Sequence, residues 1–256
     1  MTTYKHSGTL GDLIYSLAIV KKMTPGRFMV AIDNIEACVA KYSFGNPAWA
    51  EVDPAHRGRF TTQDYEWLAP LLERQSYITD TCTWHADDAE PDVDLDRFRG
   101  TLFRGFEGNY VQAYHMAFDM PFFQEDYAAT WLEADANAVA PIVVSRTFRY
   151  RDPNGDQIWR EIAHDTNLDL AGIFLGTPAE HEDFVRATGV NIPHHPVNNF
   201  LDMANIIAGC DLFLGNQSFA YSLAVGLGKD SVLETIKIKP LQNNECYFPR
   251  PNIQYF

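Results

Sequence analysis

The sequence has no uninterrupted apolar run near the ~18 residues that a membrane-spanning helix needs. Its start also lacks the apolar core of a secretory signal, so the expected protein is soluble and cytoplasmic. Cysteine is scarce: Cys38, Cys82, Cys210 and Cys246 are scattered, with no C-x-x-C spacing, which favours buried thiols over a disulfide frame or a zinc site. Positive charge is in short supply as well. Twenty Lys and Arg stand against 34 Asp and Glu, a formal charge of −14, and a field of that sign disfavours broad binding to nucleic acid. Repeats, coiled-coil heptads and low-complexity tracts are missing. So are a G-x-x-x-x-G-K-[ST] phosphate loop and a complete G-x-G-x-x-G, which leaves little support for a nicotinamide cofactor.

What is present is a core and a rhythm. Hydrophobic residues make up 46% of 256, and short β-rich runs alternate with amphipathic stretches, the pattern of an α/β protein with parallel sheets. Thr2–His6 and Arg27–Ile32 read as strands, and Asp12–Met23, Thr61–Gln75 and Tyr110–Met120 as helices; Pro70 should kink or divide the second of these. "EADANAVAP" (Glu133–Pro141) reads as a linker. After it, strands are predicted over Ala140–Ser145, Ala171–Gly176, "DLFLG" and "DSVLETI". The helices between them are predicted over Gln157–Asp165, "AEHEDFVRAT", Asn199–Cys210 and Gln217–Gly228. Strands apolar without alternation suit sheets covered on both faces. The expected fold is two Rossmann-like α/β domains, 1–137 and 138–256, facing a cleft.

Three stretches carry candidate chemistry. In "LFLGNQSFAYSLAVGLGK" a buried strand ends in a turn that starts a helix. Backbone amides around Gln217, Ser218 and Phe219, with Asn216 before them, would favour an anion there, unless Asn216 or Ser218 simply caps the helix. "VVSRTFRYRDPNG" also follows a strand and brings Ser145, Arg146, Arg149 and Arg151 together, suiting phosphate oxygens, although Arg–Asp pairing on a solvated loop would look the same. Ligands of open α/β sheets bind at strand carboxyl ends, so two anion-friendly loops on one sheet edge suggest a diphosphate. The third stretch is "HSGTLGDLIYSLAIVKK". Gly8, Thr9 and Gly11 allow close approach of an acceptor, and Asp12 stands at a helix start, either as an N-cap or as an ionised general base. Gly176, Glu180 and His195 are candidates for the nucleoside side, with Glu180 equally suited to a first helical turn. The acids of "WHADDAEPDVDLDRFRG" match no cation loop and read as solvated.

"GTLGDLIYSLAIVK" and "CDLFLGNQSFAYSLAVGLGKD" resemble, in the same order, the N-terminal and C-terminal motifs of the ADP-heptose:lipopolysaccharide heptosyltransferase family. Gln217, Phe219, Ser222 and Asp230 stand where that family carries Asp, Gly, His and Pro. The resemblance implies a GT-B fold and an inverting, metal-independent transfer from a nucleotide-sugar, with no cofactor. It also implies Asp12 as base, and Asn216 to Ala220 with Ser145 and Arg146 on the donor. The acceptor stays open among a saccharide, a lipid-linked glycan, a protein or a modified DNA base. A nucleotide-sugar epimerase or hydrolase of the same fold, or a nucleotide-sugar binding protein without catalysis, are the alternatives.

Overall fold

The computed structural model describes residues 1–32, 60–102, 106–152, 154–235 and 246–256. Cys38 lies outside them. The chain divides into two compact units, one of Met1–Asp126 with Trp131–Glu133, the other of Tyr127–Thr130 with Ala134–Phe256. Both are α/β with parallel sheets.

The first unit contains β1 (Thr2–His6), α1 (Leu10–Val20), β2 (Gly26–Ala31), α2 (Thr62–Glu73), β3 (Ile78–Trp84), β4 (Val93–Asp94), α3 (Phe98–Leu102) and α4 (Tyr110–Ala117). Among the described residues its sheet has four strands in the order β3-β2-β1-β4, parallel at each pairing. Every residue from Asp12 to Val20 is buried, so α1 is a core helix rather than a surface one. It starts two residues earlier than the sequence suggests, because Thr9 caps it by accepting the amide of Asp12. α2 runs through Pro70 without dividing, and a reciprocal Thr61–Asp64 capping box fixes its start. The sequence pattern hides β3, whose exposed Thr79 and Asp80 break any apolar run. It also hides β4, which is only two residues long.

The second unit contains β5 (Ile142–Ser145), α5 (Gly155–Thr166), α6 (Leu168–Ala171), β6 (Gly172–Phe174), α7 (Pro178–Thr188), α8 (Phe200–Gly209), β7 (Leu212–Asn216), α9 (Phe219–Leu227), β8 (Ser231–Glu234) and β9 (Ile253–Tyr255). Five described strands pair in parallel in the order β6-β5-β7-β8-β9. Ile142, Val144, Trp159, Phe174, Phe184 and Leu214 form its packed core. β9 was hidden in "PNIQYF", too short a run to stand out, and Arg250 beside it holds the backbone of Tyr127, Ala129 and Val225.

Both sheets reverse their strand order at one point, between β1 and β4 and between β5 and β7. Crevices outside the carboxyl ends of strands at such points are where open α/β sheets hold ligands. The three candidate stretches follow β1, β5 and β7 and so lie at the carboxyl ends of strands that bound these points.

Candidate functional site

At the carboxyl end of β1 the chain turns sharply through Gly8, whose φ of +105° suits glycine. A Cβ on Gly8 would lie 2.1 Å from Arg99 Nη2, so the missing side chain is what admits the guanidinium. Arg99 is almost fully buried and spans three groups. Its Nη2 donates to Ser7 O at 3.1 Å and lies 3.3 Å from Asp12 Oδ2, while Nε is 3.4 Å from Asp96 Oδ1. Asp96 also accepts from Ser7 N at 3.2 Å and pairs with Lys5 Nζ at 3.0 Å. Lys5 reaches Asp94 at 2.8 Å. The charges therefore alternate in sign along Asp12, Arg99, Asp96, Lys5 and Asp94, which compensates charge taken out of water.

Asp12 is the third residue of α1 and not its N-cap; Thr9 has that role. Its side chain remains 12% exposed. The helix start favours the anion, yet burial acts the other way and pushes the carboxyl above the ordinary aspartate range, with Arg99 and the Thr9 hydroxyl pulling it part of the way back. Asp96 is the opposite case. Burial pushes it up, but the surrounding positive groups, Arg99 and Lys5 among them, outweigh that and hold it far below the usual carboxylate range. Beneath both, Tyr114 donates to Asp12 O at 2.9 Å and lies 2.7 Å from His6 Nε2. The one phenol proton is thus used, and His6 Nε2–H is the donor of the second bond. Burial lowers His6 to about 3, so the ring is neutral.

Sequence reading missed Lys5, Asp96, Arg99 and Tyr114. Asp96 and Arg99 lie at the end of the acidic stretch read as solvated; the only local signal was Leu95 and Phe98, three apart and both fully buried. Asp94 belongs to that stretch too, and Asp92 fastens Thr3 through its amide and hydroxyl. Among the described residues no three His, Cys, Asp or Glu side chains are grouped to hold a metal ion.

On the second sheet, three loops share the carboxyl edge. Asn216, ending β7, is fully buried and holds the loop after β5: Oδ1 accepts Thr147 N at 3.0 Å, and Nδ2 donates to Thr147 O at 3.1 Å and Arg149 O at 2.6 Å. Tyr150 in that loop has a φ of +57°, uncommon for a non-glycine residue. Arg151 Nε closes the loop on Thr147 O, and its Nη1 pairs with Asp183. Arg149 points outward beside Tyr150 and is exposed. Arg146 does not. Its Nε and Nη2 clasp Glu234 at 2.7 and 2.8 Å and its Nη1 reaches Asp156 at 2.6 Å, beneath the loop. Trp159 Nε1 and Asp152 N complete the shell around Glu234. All of Arg146's charge is thereby engaged, which corrects its place in the sequence reading: it supports the loop and presents no donor outward.

Ser218 is the N-cap of α9 and accepts the Tyr221 amide, so Phe219 and Ala220 provide the leading amides of the helix. Gln217 and Phe219 are half-buried, and the Phe219 ring packs 4.5 Å from Phe200. Ser145 is buried at the end of β5, in register with Gly215. The third loop, after β6, holds Gly176 at φ +154°. Glu180 is committed through Oε2 to a capping box with Thr177, the helical alternative already weighed for it. His195 donates its backbone amide to Phe174 O and keeps its ring half-buried. Of the remaining cysteines, Cys210 and Cys246 are buried and Cys82 half-buried, and none of the three forms a disulfide.

Two α/β units with parallel sheets match the GT-B fold of solved glycosyltransferases. No family model matches the sequence, and no curated protein matches it. Among solved structures, the chain is similar over 100% of its length to the glycosyl transferase family 9 from Veillonella parvula DSM 2008, covering 85% of that chain at 11% identity and a TM-score of 0.59. It is likewise similar over 100% to the E. coli ADP-heptose lps heptosyltransferase II, covering 90% of it at 11% identity, TM-score 0.56. The E. coli heptosyltransferase WaaC with ADP aligns with 99% of the chain and 92% of its own, at 10% identity and a TM-score of 0.51. The likeness is one of fold. No described helix is long and apolar enough to cross a membrane.

Proposed function

We propose that this chain is an inverting, metal-independent glycosyltransferase that moves a sugar from a nucleoside-diphosphate sugar to an acceptor hydroxyl. The observation that carries the reading is Asp12, a carboxyl left partly open at the switch point of the first sheet and raised by burial. A base whose pKa is moved toward the working pH is the better proton acceptor. Asp12 takes the proton of the acceptor hydroxyl as its oxygen bonds to the anomeric carbon from the face opposite the leaving group. The bond to the diphosphate breaks as that bond forms, and its electron pair leaves on the diphosphate oxygen.

The second unit would hold the donor. The leading amides of α9, Gln217, the Ser145 hydroxyl and the exposed Arg149 are groups that stabilise a departing diphosphate, and they help most where its charge develops. Asn216 and Arg146 serve that edge from within. Gly176, Glu180 and His195 border the side on which the nucleoside would lie, and Gly8, Thr9 and Gly11 the side of the acceptor. The solved transferases named above support the reading through their fold.

Thermal unfolding with ADP, UDP, GDP, CDP and their sugar conjugates, in chelator, tests the donor side. A nucleotide at about 100 times its dissociation constant should stabilise the protein by about 2.7 kcal/mol. Asp12→Asn should lose transfer by about 10²- to 10⁴-fold while keeping that nucleotide shift. Undiminished transfer in Asp12→Asn would remove Asp12 as base; a nucleotide shift with no turnover toward any acceptor would favour the binding protein.

A further inference from the structure

We infer that Arg99, braced by Asp96, is the positioning residue that sets the aim and the ionisation of Asp12. The inference deepens the transferase reading in that it concerns the same carboxyl, but its first readout does not depend on activity.

Arg99 bridges Ser7 O, Asp12 and Asp96, so a rigid planar group ties the end of β1, the start of α1 and the turn before α3 into one piece. Gly8 leaves the space for it. The Phe98 ring lies 4.8 Å from the guanidinium carbon and floors it. Asp96 holds Ser7 N from the other side, so the turn leading to Asp12 is clamped by both partners of the pair. Asp12 and Asp94, the two ends of this chain of charges, each keep 12% of the side chain exposed, and Asp12 is the end that Arg99 holds. A cation this close to a buried carboxyl lowers its pKa, and a second carboxylate behind the cation raises it again. The groups facing Asp12 agree with that division of labour: Arg99 and Thr9 pull it down, and Asp96 pushes it up. Tyr114 and Tyr110 on α4 also face the Arg99 charge, with His6 on β1 bonded to Tyr114 and Lys5 on β1 paired to Asp96.

The experiment is a carboxyl carbon NMR titration of the full chain, with the Asp12 signal identified by its loss in Asp12→Asn. Arg99→Met should move the Asp12 titration to higher pH by about one to three pH units. Arg99→Lys should move it in the same direction by less, because an ammonium cannot span three acceptors as the planar fork does. Asp96→Asn should move it to lower pH, since the opposing anion is gone and the guanidinium charge remains. A role confined to holding the fold predicts no such opposite pair. Titrations within error of wild type in Arg99→Lys, or the same direction in Asp96→Asn and Arg99→Lys, overturn the inference, and both variants serve if Arg99→Met fails to fold. The acid limb of kcat/KM should track the NMR value while the donor KM stays constant. If Asp12→Asn keeps full transfer while the NMR shifts occur as expected, the base reading falls and the Arg99 inference stands.

Discussion

The two switch points are built in contrasting ways from similar parts. Each has a buried arginine beneath it and a hydroxyl-capped helix at its mouth, Thr9 on α1 and Ser218 on α9. On the first sheet the buried arginine points at the mouth and meets the carboxyl that lines it, so the local chemistry is that of a tuned acid. On the second, Arg146 is turned inward onto Glu234, and what faces outward is backbone amide, hydroxyl and Arg149. On the proposed reading the first edge would supply a proton acceptor and the second would hold an anion, as a two-substrate transfer requires.

The largest effect that can break this comparison is on stability. Arg146→Met leaves Glu234 buried with its main partner gone, and truncating one side of a buried pair costs about 3–5 kcal/mol. Asp156→Asn, on the half-exposed partner of the same arginine, should cost no more than about 1 kcal/mol. Denaturant unfolding of the two variants measures both. If Arg146→Met unfolds like wild type yet loses nucleotide binding, Arg146 reaches the ligand after all and the contrast between the two arginines is wrong.

That contrast was the least legible part of the sequence. β1 was readable to the residue, and α1 and the β5 to α9 alternation nearly so, because apolar runs and turn residues are local signals. The positions of Asp12 and the Asn216–Phe219 turn were legible because each follows a strand and starts a helix. Arg99 was not, since its partners lie at Ser7 and Asp12, about 90 residues away in a stretch whose composition resembles a solvated loop. Arg146 was found as an arginine but given the wrong direction, for the same reason: its partner Glu234 is 88 residues on. Local pattern reports where a strand ends and says nothing of which distant carboxylate will neutralise a buried cation. β3 was lost to the exposed Thr79 and Asp80 that interrupt it, and the short β4 and β9 to the weakness of their own patterns.

A smaller effect sharpens the difference through pH. His6 belongs to the first edge alone, and the second has no fully buried histidine among the described residues. Burial lowers it to about 3 from an unfolded value near 6.5. As pH falls below 6.5 the unfolded chain takes up the proton first, so His6 contributes stability that is present above that value and lost progressively down to about 3. Between pH 7 and pH 5 the loss is about 2 kcal/mol. Unfolding of His6→Gln over this range should show a shallower dependence on pH; an unchanged slope would mean that the ring is not buried neutral. His115, also lowered by burial, keeps part of the slope in both proteins.

The smallest effects come from the two capping hydroxyls, and they separate the edges most cleanly because the chemistry removed is the same. Thr9→Ala and Ser218→Ala each delete one hydroxyl bonded to the amide of the third helical residue, at a cost of about 1 kcal/mol. Equal losses in thermal unfolding are the expectation. Their other consequences should differ. The Thr9 hydroxyl also lowers the Asp12 carboxyl, so Thr9→Ala should move the Asp12 titration upward and leave nucleotide binding alone. Ser218→Ala should leave that titration in place and weaken the nucleotide shift, because an α9 start without its cap frays and aligns its leading amides less well. If both variants weaken nucleotide binding alike, the nucleotide contacts both edges and the division into an acid edge and an anion edge is lost. If neither does, the amides of α9 are not where the diphosphate binds, and the donor reading must move to the loop that carries Arg149.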